Sequence, residues 1–214
     1  MIGFARLLEA CLQPQDYAAV LAGRKLATEL LFPASSPELV TGMYRNNPWV
    51  DYYNQLLADA LAGFVGSSST PVRLLELGSG TGSTSEFTLR QLARWGDRVT
   101  YDFTDVSRKF LQEGKAVFGL RYPFVRFRQL DLEQAPESQG FDLASYDVVI
   151  ATNVVHATRR IQQSLQHIAR LLKPGGLLLL NELTHKSDFQ TITVALLDGW
   201  WAFEDAELRI ENSP

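Results

Sequence analysis

The spacing of apolar residues along the chain changes near residue 70. In "FARLLEACL" and again in "DYYNQLLADALAGFV" (residues 51–65), apolar side chains recur at the three- and four-residue intervals of a helix. "YRNNPW" and nearby prolines lie between these stretches and are typical of turns, and "GSSSTP" (residues 66–71) is typical of a short linker. The pattern therefore predicts a helical segment over residues 1–70 and a second domain over residues 71–214.

Beyond the linker, apolar runs that suit buried strands alternate with amphipathic stretches that suit helices. The predicted strands are "VRLLELG", "VTYDFTD", "FVRFRQLD", "YDVVIATNVV" and "LLLLNEL", with helices between them such as residues 85–94 and 161–172. "KPGG" predicts a turn before the last strand, and "QTITVALLDGWWAF" predicts a final helix. Alternation of this kind forms a sheet with right-handed crossovers. The sequence predicts a doubly wound α/β domain with a mostly parallel sheet.

Composition narrows the classes of function. The 214 residues carry a formal net charge of −4 and no cluster of Lys and Arg. This argues against nucleic acid as a partner, because phosphate binding depends on clustered cations. The single cysteine, Cys11, cannot form an internal disulfide, and no Cys and His residues have the spacing of a metal site. No secretory leader or membrane-length apolar run is visible. These features predict a soluble, cytoplasmic protein without a metal or a membrane partner.

The stretch "RLLELGSGTGSTSEF" joins the first predicted strand to a helix through three alternating glycines. Gly78, Gly80 and Gly82 allow the backbone to turn sharply and to approach a ligand beside the free N–H groups of the helix start. Their spacing is neither the G-x-G-x-x-G of a dinucleotide site nor that of a P-loop. Glu76 precedes them, and Asp105 ends the second strand, where a carboxylate can accept hydrogen bonds from both ribose hydroxyls of a nucleoside. An ordinary strand-to-helix turn is the alternative.

The combination of "ELGSGTG" with "TDVS" resembles the S-adenosylmethionine site of class I methyltransferases. The resemblance implies that the glycines pass close to the methionine part of the cofactor and that Glu76 supports both the loop and the methionine ammonium. It also implies that Asp105 binds the ribose. Asp131 and Leu132, at the end of the third strand, would flank the adenine, with a helix cap as the alternative for Asp131. Asn153, beside the loop at the end of the fourth strand, completes the predicted cofactor residues.

His156 and Glu182 follow the fourth and fifth predicted strands, which lie side by side next to the first in a sheet of this kind. Histidine is the side chain best suited to moving a proton near neutral pH, and a neighbouring carboxylate can fix its tautomer. The pair predicts a base for an acceptor that must lose a proton, although a lone histidine is more often structural. His185 is predicted at the surface or behind the site, and His167 has no evident partner.

Longer stretches of the sequence narrow this resemblance to one family within the class I methyltransferases. "LLFPASSPELVTGMYRNNPWVDYYN", "YDFTDVS", "NVVHATR", "LLKPGGLLLLNELT" and "LLDGWWAFED" together resemble the methyltransferase domain of modular polyketide synthases. That family methylates an acyl chain held as a thioester on the phosphopantetheine arm of an acyl carrier protein, with a His/Glu pair as the base. The resemblance implies this role for His156 and Glu182, and it implies that other synthase domains are partners. It also implies a lid over the site, with plain packing as the alternative, formed by Tyr44, Asn47, Tyr52 and Tyr53.

Two departures from that family bear on the acceptor atom. A complete class I fold ends with two further strands, and this closing hairpin is absent from the sequence, so we expect a C-terminally incomplete core from a larger synthase. The lid is short, which favours oxygen as the acceptor, whereas most family members methylate carbon. Methylation of the α-carbon of a β-ketoacyl thioester is the preferred prediction. O-methylation of a β-hydroxyacyl chain is the alternative.

Two other functions stay open, and a third is disfavoured. A methyltransferase for a free small molecule and an inactive structural module are further alternatives, although the retained glycines and His156 argue against inactivity. An amino-methyltransferase for nucleic acids would carry an Asn/Asp-Pro-Pro-aromatic motif after the fourth strand. This chain has "NVVH" there and an acidic net charge.

Overall fold

The computed structural model describes residues 2–36, 38–185 and 187–209, in which helices come first and a sheet follows. The helices before the sheet are α1 (Ile2–Cys11), α2 (Pro14–Leu21), α3 (Ala27–Leu31), α4 (Glu38–Tyr44) and α5 (Pro48–Ser67). Strands and helices then alternate as β1 (Val72–Leu77), α6 (Ser83–Leu92), β2 (Val99–Asp105), α7 (Arg108–Phe118), β3 (Val125–Gln129), β4 (Tyr146–Thr152), α8 (Ile161–Leu171), β5 (Leu172–Asn181) and α9 (Asp188–Ile192).

The strands form one parallel sheet in the order β3-β2-β1-β4-β5. From β1 the chain first extends the sheet through β2 and β3, then crosses back to β4 on the other side. The carboxyl ends of β1 and β4 therefore border the point where the strand order reverses, which is where ligands bind in sheets of this type. The predicted doubly wound fold is confirmed, and β2 has the predicted bounds.

Alternate residues of the central strands contribute to two separate cores. Leu74 of β1 belongs to a core that includes buried side chains of α5, α6 and α7. Leu75, the next residue, belongs to a second core that includes Ile168 and Leu171 of α8. Since successive side chains of a strand point to opposite faces, helices cover the sheet on both sides. This double burial explains the nearly continuous apolar runs of β1 and β4.

The "KPGG" segment, predicted as a turn before the fifth strand, lies within β5. The register passes from Tyr146–Leu172 to Val148–Leu177, so β5 uses more residues than β4 over the same length. The surplus residues bulge from the ladder. Gly175 in this bulge has φ +77°, a conformation that glycine adopts without steric cost. The chain does turn here, but it returns to the same strand.

The predicted final helix over "QTITVALLDGWWAF" is wrong. Helix α9 ends at Ile192, and 3-10 turns follow at Val194–Leu196 and Asp198–Trp201. The break falls at Thr193, whose φ of −121° and ψ of −92° are not helical. β-branched residues occupy positions 191–194. Their restricted χ1 rotamers lower helix propensity, which explains why the helix stops.

The chain divides into two compact units, Tyr53–Glu182 and the described parts of Met1–Tyr52 with Leu183–Pro214. The first of these holds the whole sheet. In the other unit, Leu7, Leu31 and Val194 share one core, so the N-terminal helices and the C-terminal segment fold together. These limits differ from the division predicted at residue 70, because composition along the chain does not reveal that the two ends share a core. The predicted division stays a prediction.

Candidate cofactor and base site

The loop between β1 and α6 turns on three glycines in the left-handed region. Their φ values are +56° at Gly78, +52° at Gly80 and +75° at Gly82, where residues with a Cβ are strained. The Gly80 N–H donates to Asp105 Oδ2 at 2.9 Å, and the Ser107 N–H donates to Asp105 Oδ1 at 2.7 Å. A Cβ on Gly80 would meet only the Gly78 carbonyl oxygen, at 3.7 Å. The space on that side of the loop is therefore open to a ligand.

Asp105 lies at the end of β2 with 6% of its surface exposed. Burial raises its pKa, and hydrogen bonds from the backbone of Ser107 and Gly80 oppose that rise. An ionised carboxylate offers about four acceptor positions, so these two contacts leave capacity for ribose hydroxyls. The contacts show that Asp105 fixes the glycine loop. The predicted ribose contact stays a prediction.

Glu76 turns its carboxylate into the protein beneath the glycine loop. Oε2 accepts from Ser85 Oγ at 2.6 Å and from the Tyr101 hydroxyl at 2.8 Å, and the Glu76 carbonyl accepts from Thr104 Oγ1 at 2.6 Å. Burial raises the pKa of Glu76, against the hydrogen bonds from Ser85 and Tyr101. Burial also raises the pKa of Tyr101, and the nearby Glu76 charge adds to the rise. Glu76 thus holds β1, β2 and α6 together, while its predicted contact with an ammonium stays a prediction.

Ser85 and Tyr101 are partners that the sequence reasoning missed. The only sequence signal was the acid itself, since a carboxylate inside an apolar strand needs hydrogen-bond donors. Nothing in the spacing indicated which hydroxyls would supply them. Tyr101 lies inside an apolar run of β2 and was indistinguishable from a core residue.

His156 and Glu182 are brought together, as the strand order predicted. His156 lies on the 3-10 turn Val155–Ala157 after β4, and Glu182 directly follows β5. His156 Nδ1 lies 2.5 Å from Glu182 Oε2, and each side chain is 13% exposed. Because an ionised carboxylate only accepts, Nδ1 carries the proton in this hydrogen bond and Nε2 is the basic nitrogen of the neutral ring. The geometry is that of an imidazole base oriented by a carboxylate.

The second oxygen of Glu182 closes the turn that carries the histidine. Oε1 accepts from the N–H groups of Val154 at 2.9 Å and Val155 at 2.7 Å. Asn153 precedes this turn with φ +50°, and its N–H donates to the Asn181 carbonyl at 2.9 Å. One carboxylate therefore positions both the imidazole ring and its backbone. The predicted cofactor contact of Asn153 stays a prediction.

Asp131 and Leu132 follow β3 in a locally bonded turn. Asp131 Oδ1 accepts from the Glu133 N–H at 2.9 Å, which stabilises this turn. The next helical turn, Pro136–Gln139, is capped by Ala135, so Asp131 is not the helix cap considered as the alternative. Leu132 is 7% exposed and belongs to the second core. Its carbonyl accepts from His167 Nδ1 at 2.8 Å, so the histidine for which the sequence gave no partner has a structural one. Contact of Asp131 and Leu132 with adenine stays a prediction.

The four predicted lid residues lie on α4, on α5 and between them. Asn47 is 2% exposed, donates from Nδ2 to the Met43 carbonyl at 2.8 Å and accepts from the Trp49 N–H at 3.2 Å. These contacts cap the start of α5 and give Asn47 a structural role. Tyr44 ends α4, and Tyr52 and Tyr53 have exposed side chains on α5. Their placement over the site stays a prediction.

The described residues also bear on membrane and metal sites. Among the helices that the structure describes, none is long and apolar enough to cross a membrane. Over the same described ranges, no group of three or more His, Cys, Asp and Glu residues could hold a metal ion. His185 is exposed and hydrogen bonded to the adjacent Thr184 Oγ1, at 2.9 Å from Nδ1.

Comparison with known proteins identifies relatives of this arrangement. Residues 75–178 match the family model described as "Methyltransferase domain". The polyketide synthase ThaG of Burkholderia thailandensis is 44% identical over 200 residues, which is 92% of this chain and 4% of that synthase. The crystal structure of the DszA carbon methyltransferase is 41% identical with a TM-score of 0.92, over 99% of this chain and 55% of that one. The trans-methyltransferase CalH, solved in complex with SAH, is 30% identical with a TM-score of 0.73, over 91% of this chain and 52% of that one.

The parallel sheet, its glycine loop and these matches define the class of protein. The chain belongs to the class I S-adenosylmethionine-dependent methyltransferases. Within that class it is similar to the methyltransferase domains of polyketide synthases, as the sequence predicted. It spans a small part of the curated synthases that it matches and about half of the solved methyltransferase chains.

Proposed function

We propose that this domain transfers a methyl group from S-adenosylmethionine to the α-carbon of a β-ketoacyl chain. The chain would be held as a thioester on an acyl carrier protein that works with the other domains of a polyketide synthase. The observation that carries the proposal is the hydrogen bond between His156 Nδ1 and Glu182 Oε2, 2.5 Å long, at the carboxyl ends of neighbouring strands. The high similarity to the DszA carbon methyltransferase supports carbon as the acceptor.

The residues around the glycine loop fit the proposed cofactor. Open space beside Gly80 and the carboxylate of Asp105 suit a nucleoside, and the first turn of α6 offers backbone N–H groups to its polar end. Asp131, Leu132 and Asn153 complete the set that would hold it. When bound, S-adenosylmethionine supplies an electrophilic methyl group on a sulfonium.

In the proposed reaction this chain supplies the base that removes the α-proton, formed by His156 and Glu182. Glu182 accepts a hydrogen bond from the Nδ1–H of His156, which leaves Nε2 to take the α-proton of the β-ketoacyl chain. The electron pair left on the α-carbon is the nucleophile for the methyl group that S-adenosylmethionine would supply on its sulfonium. The Glu182 charge stabilises the imidazolium until it releases the proton. A carbon between a ketone and a thioester gives up its proton to such a base more readily than a β-hydroxyl does.

The acceptor atom is tested by offering the intact synthase module two carrier proteins separately, one loaded with a β-ketoacyl and one with a β-hydroxyacyl chain. Mass spectrometry of the pantetheine arm should show one added methyl on the β-ketoacyl form. Methylation of the hydroxyacyl form alone would overturn the proposal in favour of oxygen. Cofactor binding without methylation of either chain would favour an inactive module, and equal rates with a free thioester would favour a small-molecule enzyme.

Proton removal is tested without methyl transfer. In deuterated water without S-adenosylmethionine, the native module should exchange the α-hydrogen of the β-ketoacyl carrier for deuterium. The His156→Gln variant should lose this exchange. Exchange at the native rate in that variant would remove His156 from the base role.

A further inference from the structure

Helix α6 buries hydroxyl groups where a helix usually buries apolar side chains. Thr84 is 6% exposed, and Ser85 and Thr88 are fully buried. Ser85 and Thr88 bond to the pair Glu76 and Tyr101, with Thr88 Oγ1 3.1 Å from the Tyr101 hydroxyl. These contacts attach α6 to the sheet side of the site. Thr84 points to a different element.

The partner of Thr84 is Asn54 of α5. Thr84 Oγ1 donates to Asn54 Oδ1 at 2.9 Å, and Asn54 Nδ2 donates to Ser83 Oγ at 3.2 Å. Asn54 is fully buried and shares its face of α5 with apolar residues such as Leu57 and Leu61. Burying an amide is unfavourable unless both its oxygen and its nitrogen find partners, and Ser83 and Thr84 supply them.

Ser83 and Thr84 are the first two residues of α6, directly after the glycine loop. The N–H groups of a helix's first turn have no partners within the helix, and they bind ligands only if the turn is held in place. We propose that Asn54 is a positioning residue for the cofactor site, fixing the first turn of α6 to α5. This inference rests on the proposed function, because it takes S-adenosylmethionine as the ligand of the site.

The first test compares variants of matched shape by calorimetry with S-adenosylmethionine and its demethylated product. Thr84→Val keeps the shape of threonine but removes the donor, whereas Thr84→Ser keeps the donor. We expect about tenfold weaker binding in Thr84→Val and in Asn54→Leu, equivalent to about 1.4 kcal/mol, and near-native binding in Thr84→Ser. The double variant should bind no more weakly than either single variant, because both remove the same contact.

The control is another hydrogen bond between the same two helices. Gln91 Nε2 donates to Asp59 Oδ1 at 2.8 Å at the far end of α6 from the loop. Gln91→Ala should therefore leave cofactor affinity unchanged. If Gln91→Ala weakens binding as much as Thr84→Val, general helix packing explains the effect and the positioning role fails. Native affinity in both Thr84→Val and Asn54→Leu would overturn it as well.

Hydrogen exchange of the unliganded chain separates this inference from the proposed function. In Thr84→Val and Asn54→Leu, the backbone amides of residues 83–88 should exchange faster, while those of β1 and β4 keep native protection. In turnover assays the loss should appear as a higher KM for S-adenosylmethionine with kcat little changed. If the native chain binds neither cofactor form, the proposed function fails. Unchanged amide exchange at residues 83–88 in both variants would contradict the positioning role of Asn54 without bearing on the proposed function.

Discussion

Gly78 packs directly against Val154. A Cβ added to Gly78 would lie 2.5 Å from Val154 Cγ2, a distance at which one of the two must move. Val154 precedes the turn that carries His156, and its N–H donates to Glu182. The first glycine of the cofactor loop and the turn that carries the proposed base are therefore in contact, and each limits where the other can lie.

Gly78→Ala should lower the free energy of unfolding by about 3 kcal/mol. Left-handed backbone costs about 1–2 kcal/mol for a residue with a Cβ, and the overpacking adds about 1–3 kcal/mol. Val154→Ala removes the Cγ2 contact at 2.5 Å but leaves the Cβ of residue 154 at 2.9 Å, so it relieves part of the overpacking and none of the backbone strain. Added to Gly78→Ala, it should therefore cost less than it does in the native chain, and urea unfolding of the four proteins measures this. Strict additivity would contradict the contact.

Glu182→Gln and Glu182→Ala should differ in stability. Glutamine can still accept from Val154 and Val155, but its amide N–H₂ would face His156 Nδ1 and favour the tautomer with the proton on Nε2. Turnover should fall by about 10²–10⁴-fold while the fold is kept. Glu182→Ala leaves two backbone donors without their acceptor and should also cost about 1–3 kcal/mol of stability.

His156→Gln gives the matched comparison. It should remove a similar share of turnover without weakening cofactor binding. The double variant with Glu182→Gln should be little slower than either single variant, because a base and its orienting group act as one unit. Multiplicative losses in the double variant would show that the two residues act separately.

Asp105→Ala should weaken S-adenosylmethionine binding by about 1.5–3 kcal/mol, since hydrogen bonds to a charged group are lost. Calorimetry measures the change. Asp131→Ala is the comparison, because the Asp131 carboxylate accepts from Glu133 within its own turn, and the variant keeps the backbone bonds of residue 131 to Gln139. Equal affinity in Asp105→Ala and the native chain would remove the ribose assignment. A larger loss in Asp131→Ala would move the nucleoside towards β3.

The stability of the chain should carry a pH dependence that comes from Glu76. Burial raises the pKa of this carboxyl above its ordinary value of 4.5, so the folded state holds the proton more tightly than the unfolded state. This contribution is complete below pH 4.5 and is lost as the pH rises through the folded pKa. Glu76→Gln cannot ionise, and over that range its free energy of unfolding should rise relative to the native value. Asp105 shifts in the same direction and its charge adds to the rise at Glu76, so its titration also contributes to the difference between the two proteins. A pH-independent difference would contradict the burial of the charge.

Leu180→Lys should reduce self-association. In the described residues β5 pairs only with β4, and Leu180 is 50% exposed on it. A lysine on an edge strand discourages pairing with another chain. Leu179→Lys is the matched control, because Leu179 packs against the first core and the charge there should destabilise the fold. Light scattering measures the self-association of both variants. Unchanged scattering in Leu180→Lys would show that chains do not associate through this edge of the sheet.

The sequence predicted those features that follow from the periodicity of strands and helices. In a parallel sheet the carboxyl ends of neighbouring strands lie at the same edge, so the sequence alone could predict that His156 and Glu182 lie close together. The glycine positions were predicted because their left-handed backbone excludes most other residues. Both inferences rest on local chain geometry.

The hydroxyl contacts around α6 could not be predicted in the same way. Asn54 and Thr84 are 30 residues apart, and Ser85 reaches a glutamate on a different element. Each of these side chains also occurs on exposed helix faces, so their burial became clear only from the packing. The prediction of a final helix was wrong for a related reason. The apolar pattern continues past Thr193, but the backbone at Thr193 leaves the helical region.

The pairing of β1 with β4 sets the order in which the site is completed during synthesis. The Arg73 N–H donates to Asp147 Oδ2 across 74 residues of chain, and β1 reaches its full pairing only after β4 has left the ribosome. Before that point the glycine loop follows a strand that is paired only with β2. The ring of His156 has its hydrogen bond to Glu182 only after residue 182 has also been synthesised. Of the residues that would hold the cofactor, Asn153 is synthesised last, so bound cofactor could stabilise the chain only after β4 has been made, because a ligand stabilises the state that binds it. A nascent chain therefore relies on the apolar surfaces of β1 and β2 and on α5 until β4 has been made.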